Sequence, residues 1–176
     1  MGENDLTDWI LKNAPEFSEQ FGHSVDLSDL AKVQSLLGQS LPDSYLSFLK
    51  KHDGFSDQIG ILEFLSFRYA TSEYEDMQRA SALFEVRKED VKGPVRPLFK
   101  NKLWWPIVLI GGASNYYCID LDPAPGGEVG QVIEVTKYLT RQLVAPSFEQ
   151  FIKMITGFLT VEDGEITLSD EFDEDA

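Results

Sequence analysis

The chain has few of the residues that form disulfides, zinc centres and thiol nucleophiles. Its 176 residues include one cysteine, Cys118, and two histidines, His23 and His52. One cysteine cannot form an intrachain disulfide, and a zinc site or a cysteine–histidine catalytic pair needs partners that this sequence hardly offers. These absences predict a cytoplasmic protein in which Cys118 is a small buried hydrophobic residue. They favour neither a metal site nor a cofactor.

We expect neither a membrane-spanning segment nor a secretory leader in this sequence. No apolar run approaches the roughly 20 residues that cross a bilayer. The acidic start, MGENDLTDW, has neither a basic n-region nor an apolar core. We therefore expect no membrane partner.

Basic residues are scarce, since 15 Lys and Arg face 30 Asp and Glu and the net charge is −15. Residues 160–176 hold eight acids and no base, and the remainder is still acidic at −7. Nucleic-acid binding needs basic side chains that displace counterions from phosphates, so the composition argues against it. An acidic surface fits a basic protein partner, whose association it would steer. Solubility alone would also explain the charge.

Hydrophobic spacing predicts a mixture of helices and strands. The predicted helices are 4–12, 28–37, 42–52, 72–90 and 147–159, and the predicted strands are 59–69, 103–110, 116–122 and 129–136. The order lacks the strict strand–helix alternation of a nucleotide-binding parallel sheet and favours an α+β fold with a largely antiparallel sheet. We expect one domain over residues 1–159 and a flexible acidic tail over 160–176, in which EITL could add a short strand.

Gly111-Gly112, after an apolar strand, raises the question of a phosphate-binding loop. Such a loop needs a following Lys-Ser/Thr and a helix start. Here the next lysine is Lys137, and the intervening NYYCI has a strand composition. GGASN is therefore predicted to be a five-residue hairpin loop with Gly and Asn at positive φ.

Asp120 and Asp122 are two residues apart and would share a face of a strand. A divalent cation is usually bound by about six oxygen ligands, so a metal-dependent hydrolase would need Glu134 as a further ligand beside Asp120 and Asp122. The alternative is that Asp122-Pro123 opens a turn and that the Asp122 carboxylate accepts bonds from nearby backbone N–H groups. The adjacent Trp104 and Trp105 would face opposite ways on a strand. One of them could lie outside as a contact residue, or helices could cover both.

Five stretches of this sequence, taken together, resemble the SUKH superfamily, which includes the fungal cell-wall synthesis regulators of the Smi/Knr type. They are GPV (93–95), WWP (104–106), CIDLDPAPGG (118–127), GQVIEV (130–135) and VAPSFEQFI (144–152). The upstream LPDSYLSFLKKHDGF is similar to a further family element, and the likeness covers roughly residues 28–157. Two departures are the long GGASN loop and Asp53, where asparagine is commoner.

The resemblance implies a twisted, mostly antiparallel sheet flanked by helices and a non-enzymatic, protein-binding role. Bacterial single-domain members are mostly immunity proteins that neutralise a cognate toxin, often a nuclease or deaminase, whereas fungal members are longer scaffolds. We therefore expect an immunity protein with a basic toxin domain as its partner, the alternative being a regulatory module of cell-wall synthesis. The candidate partner-binding residues are Asp53, Phe55, Asp57, Trp105, Asp120 and Asp122.

Overall fold

Six strands form a mostly antiparallel sheet in the computed structural model, which describes residues 6–82, 85–112, 114–137, 139–169 and 172. The strands are β1 (Leu62–Phe64), β2 (Val91–Lys92), β3 (Trp104–Ile110), β4 (Tyr116–Asp120), β5 (Gln131–Val135) and β6 (Arg141–Ala145). Their order is β1-β3-β4-β5-β6-β2, and only the short β2 runs parallel to its neighbour. The predicted α+β class is confirmed.

Helices precede, interrupt and follow the sheet. They are α1 (Leu6–Asn13), α2 (Leu27–Leu37), α3 (Asp43–Lys51), α4 (Phe67–Arg79) and α5 (Phe148–Gly157), with 3-10 turns at Pro15–Gln20 and Lys88–Asp90. The sequence suggests Ser28 as the N-cap of α2, but the N-cap is Asp26, because the Asp26 carboxylate accepts a bond from the Ser28 N–H. Asn4 and Asp5, which the sequence suggests as alternative caps of α1, both lie outside the described residues. None of the described helices has the length and apolar character needed to span a membrane.

The prediction of one long strand over 59–69 is wrong, since β1 covers only Leu62–Phe64 and α4 begins at Phe67 rather than residue 72. Two oxygens fix this start: the Ser66 hydroxyl accepts from the Tyr69 N–H, and the Asp53 carboxylate accepts from the Phe67 N–H. Of the aromatic residues that suggested a strand, Phe64 lies in β1, Phe67 is buried on α4 and Tyr69 is exposed on α4. The helix ends at Arg79 and not at residue 90; Leu83 and Phe84, which the prediction included, lie outside the described residues.

Strand β6 was missed because its sequence, RQLVA, begins with two polar residues that do not suggest a strand. A second hairpin, β7 (Leu159–Glu162) and β8 (Glu165–Leu168), contains the EITL strand. Ile166 of this hairpin is buried, and Phe172 packs edge-on against Phe158. The predicted boundary between domain and tail therefore falls at the start of a hairpin that contacts the core, and the flexibility of 160–176 stays a prediction.

The two faces of the sheet carry separate cores because side chains alternate along each strand. One face packs Trp105, Tyr117, Ile119 and Val132 against residues of all five helices, including Phe67 and Tyr74 of α4. The other face packs Trp104, Cys118 and Ile133 with Met77 of α4 and Val95. The prediction that Cys118 is a buried hydrophobe is confirmed.

The GGASN segment is the loop of the β3–β4 hairpin, as predicted. The Ile110 N–H donates to the Asn115 carbonyl across its base. Gly111, Gly112 and Ser114 have positive φ, so serine takes the left-handed position that had been expected of asparagine. Ala113 lies outside the described residues.

Candidate partner-binding surface

The six candidate residues lie in two groups, and most of their side chains are inside the protein. Trp105 and Asp120 are fully buried and Phe55 is 7% exposed. Asp53 and Asp122 are half-buried, and Asp57 is exposed. The first group, around α3, β1 and the start of β3, is Asp53, Phe55, Asp57 and Trp105, whereas Asp120 and Asp122 lie at the end of β4. The partner-binding role of the set stays a prediction, and only its exposed members can act directly.

Asp120 is the acceptor at the centre of a buried hydrogen-bond network. Its Oδ1 accepts from the Trp104 indole N–H at 3.1 Å and from the Asp122 backbone N–H at 2.9 Å. Its Oδ2 accepts from the Gln131 amide at 2.9 Å, and that amide also donates to the Pro94 carbonyl. The network thus joins β3, β4, β5 and the segment before β3.

Burial raises the pKa of the Asp120 carboxyl, because the charged form is poorly solvated inside the protein. Hydrogen bonds from Asp122, Gln131 and Trp104 favour the charged form and offset part of this rise. With both oxygens engaged by donors of the fold, Asp120 serves the structure of the turn and does not face a partner. Gln131, which is 1% exposed, was missed, although a glutamine in an otherwise apolar strand was the signal for it.

Asp122 has a different environment from Asp120, two residues away. Its carboxylate accepts from Arg96 at 2.8 Å and from the Asn101 amide at 3.0 Å. Burial acts to raise its pKa, but Asn101 and Arg96 outweigh that effect and the pKa is lowered. The prediction that this carboxylate binds nearby backbone N–H groups is wrong. Asp120 caps the turn instead, and Asp122 ties it to the segment that contains Arg96.

The 53–57 turn mixes structural and exposed residues. The Asp53 carboxylate accepts from the first N–H of α4 at 2.6 Å, and burial raises its pKa. Phe55 packs against Phe48 and Phe64. Asp57 accepts from its neighbour's N–H and is otherwise exposed. Of the three candidate residues in this turn, Asp57 is the exposed one.

Trp105 is buried, so of the two alternatives for the tryptophan pair the structure shows the one in which helices cover both. Phe67 and Tyr74 of α4 lie against its ring at 5.3 and 5.4 Å, and its indole N–H donates to the Tyr45 hydroxyl at 3.3 Å. Trp104 is buried on the other face. Both tryptophans are interior because the sheet is covered on both sides.

The carboxylates proposed for a metal-dependent hydrolase do not converge. Asp120 lies on the sheet face of Trp104 and Gln131, whereas Glu134 lines a cavity on the opposite face with Tyr117 and Met154. Asp122 is paired with Arg96. Among the described residues, no group of three or more His, Cys, Asp or Glu could hold a metal ion.

An accessible edge does exist beside the Asp120 network. The Gln39 amide, after α2, is within 3.4 Å of the Leu121 carbonyl, and Pro42 lies so close to Gly130 that a Cβ there would be 3.0 Å from the proline ring. These contacts bring the α2–α3 connection against the 121–130 loop. We call this the α3–loop edge, and its exposed side chains are Asp43, Glu128 and Val129, the last 67% exposed.

The molecule is thus an α+β domain in which the hydrogen-bond network of Asp120 is buried. A family model described as the SMI1/KNR4 family (SUKH-1) matches residues 24–154, and the chain belongs to this family. The resemblance seen in the sequence is confirmed. Members of this family are generally non-catalytic.

A curated relative from Neurospora crassa, named glucan synthesis regulatory protein, is 24% identical over an alignment of 196 residues. The alignment covers 86% of this chain and 36% of that protein. The chain therefore spans little more than a third of the length of this relative.

Proposed function

We propose that the protein is a non-enzymatic, protein-binding domain that binds and neutralises a basic toxin domain, as an immunity protein does. The observation that carries the proposal is a SUKH-1 domain with a net charge of −15. Basic partners, which include many nucleases, associate quickly with such a surface because the electrostatic field steers the encounter. The cytoplasm is where an immunity protein of this kind would act.

The α3–loop edge is the surface that we propose for contact. It combines the exposed acids Asp43 and Glu128 with the exposed apolar side chain of Val129. A rigid apolar centre with charged surroundings is the usual anatomy of a specific interface. The Asp120 network holds the loop, so the buried motif supports the contact without making it. Asp57 would contribute at longer range through its charge.

Co-expression tests the toxin proposal directly. The gene is expressed in a bacterial host together with the toxin domain encoded beside it, and survival is compared with the toxin alone. We expect protection by the wild-type protein and reduced protection by Asp43→Lys/Glu128→Lys. The matched control is Glu162→Lys, an exposed acid of the β7–β8 hairpin. Failure of the wild-type protein to protect against any adjacent toxin would refute the proposal.

A second candidate function is a regulatory binding module of glucan or cell-wall synthesis, which the name of the Neurospora crassa relative favours. Both functions require protein binding, and they differ in the partner. Affinity purification of the tagged protein from its own source would recover a synthesis enzyme or its regulator in this case, and deletion of the gene would alter cell-wall glucan. A toxin as the stoichiometric partner would exclude it.

A further inference from the structure

A cavity of about 360 Å³ opens between the end of α4, the segment before β3 and the β5–β6 turn. It lies on the sheet face of Trp104, away from the α3–loop edge. The apolar part of its wall comes from Met77, Ala80, Phe99, Tyr116, Val135 and Leu139. Its volume is in the range that small-molecule sites occupy.

The wall of this cavity contains a buried cation that no described carboxylate neutralises. Arg141 is 1% exposed, and its guanidinium donates only to backbone carbonyls, those of Leu98, Phe99, Thr136 and Thr140, at 2.7–3.0 Å. Those four bonds use four of the five N–H groups of the guanidinium. The Cζ atom of the Arg141 guanidinium lies 5.6 Å from the centre of the Trp104 ring.

Carbonyl groups satisfy hydrogen bonds but do not cancel a full charge, and a buried charge is costly without a counter-ion. Burial accordingly lowers the pKa of Arg141 to about 10. An anion in the cavity would supply the missing negative charge at low local dielectric.

Further groups on the wall have the same sign. Lys100 donates its ammonium protons to the carbonyls of Gln78 and Ala80, and Lys137 also lines the cavity. The acid on this wall, Asp76, is paired with Arg79 at 2.6 Å. The Arg141 and Lys100 side of the cavity is therefore basic in a protein whose total charge is strongly negative, whereas on the Tyr116 side the Glu73 carboxylate accepts from the Tyr116 hydroxyl at 2.6 Å.

We propose that this cavity binds a small amphiphilic carboxylate, with its apolar body against Met77 and Val135 and its carboxylate on the Arg141 and Lys100 side. The site is separate from the partner-binding proposal and does not depend on it. It takes an organic acid of roughly ten to fifteen non-hydrogen atoms, which is what a cavity of this size can bury.

Nuclear magnetic resonance titration with 3-phenylpropionate tests the site, with 3-phenylpropanamide as the matched neutral ligand. We expect saturable shifts of the Met77, Val135 and Leu139 amide signals, with a Kd of roughly 0.1–1 mM for so small a ligand. The neutral ligand, 3-phenylpropanamide, should bind at least about tenfold more weakly, because it lacks the negative charge that would neutralise Arg141.

Variants at the rim separate this site from non-specific binding. Ala80→Trp, at an exposed position of the wall, should abolish the ligand-induced amide shifts. If Ala80→Trp does not fold, Ser81→Trp serves as the blocking variant in its place. Lys100→Gln should weaken binding about three- to tenfold, and Lys153→Gln on α5 should leave it unchanged. Equal binding of acid and amide, shifts that persist in Ala80→Trp or Ser81→Trp, or no saturable shift at about 10 mM acid would overturn the proposal.

Discussion

Asp120, an acidic residue of the motif that resembles the family, is an internal hydrogen-bond acceptor in the structure. Its two oxygens accept bonds from three parts of the chain, and the residue is fully buried. The sequence favoured no catalytic role for Asp120, because it offers no nearby partner for chemistry. It could not show that the carboxylate is internal, because alternation along a strand does not reveal that both faces of the sheet are covered.

Removing the Asp120 carboxylate should destabilise the protein strongly. Asp120→Ala leaves the Trp104 indole, the Gln131 amide and the Asp122 N–H without their acceptor, so we expect the free energy of unfolding to fall by at least about 3 kcal/mol. Urea unfolding measures this loss of free energy. The control is Asp57→Ala, at an exposed position, which should change stability by less than about 0.5 kcal/mol. A loss below about 1 kcal/mol for Asp120→Ala would mean that water replaces the carboxylate.

The raised pKa of Asp120 predicts a pH dependence of stability. Above the ordinary value of 3.8 the unfolded chain releases this proton while the folded protein still holds it, so this residue makes stability fall as pH rises through that window. Asp120→Asn removes the titration. The difference in unfolding free energy between pH 4 and pH 7, measured by urea titration, should therefore shift in Asp120→Asn relative to the wild type. Parallel pH profiles of the two proteins would contradict the assignment.

At the scale of elements, periodicity located most helices and the strands β3, β4 and β5, where apolar runs are long and turn residues punctuate them. It failed where side chains from distant segments decide the outcome. Helix α4 starts at Phe67 because Asp53, 14 residues earlier, accepts its first N–H. Strand β6 begins with Arg141, whose burial depends on carbonyls of four other residues.

Gly112 and Gly54 both have positive φ, but they differ in the space available for an added Cβ. Gly112, at the hairpin tip, has φ +68° and open space where a Cβ would lie, whereas at Gly54 (φ +71°) a Cβ would be 2.5 Å from the Ser66 nitrogen. Gly112→Ala should therefore cost only the left-handed conformation, about 1–2 kcal/mol. Gly54→Ala should cost about 1–3 kcal/mol more, because the start of α4 must shift. Chemical denaturation of both variants checks this, and equal losses would be inconsistent with the close approach at Gly54.

For the whole molecule, the excess of acids is the property that links composition to the proposed partner. Sequence alone predicted the sign of that partner's charge, but not the contact surface. Trp105 and Phe55, chosen as contacts, are interior, and the α3–loop edge arises only when the α2–α3 connection meets the 121–130 loop.

Charge reversal should slow association with a basic partner. We expect Asp57→Lys and Glu128→Lys each to lower the association rate constant severalfold at low salt, with a smaller effect near physiological ionic strength, where the screening length is about 8 Å. Stopped-flow mixing with the toxin domain measures the rates. If Glu128→Lys left the association rate constant unaltered while the control Glu162→Lys changed it, the interface would lie elsewhere.

The most direct test of the central claim is a titration of this purified protein into the purified toxin domain encoded beside its gene, with toxin activity read at each step. We predict that activity falls in proportion to added protein and is abolished at a fixed stoichiometry, together with formation of a stable complex. Full toxin activity in the presence of excess protein would contradict the account.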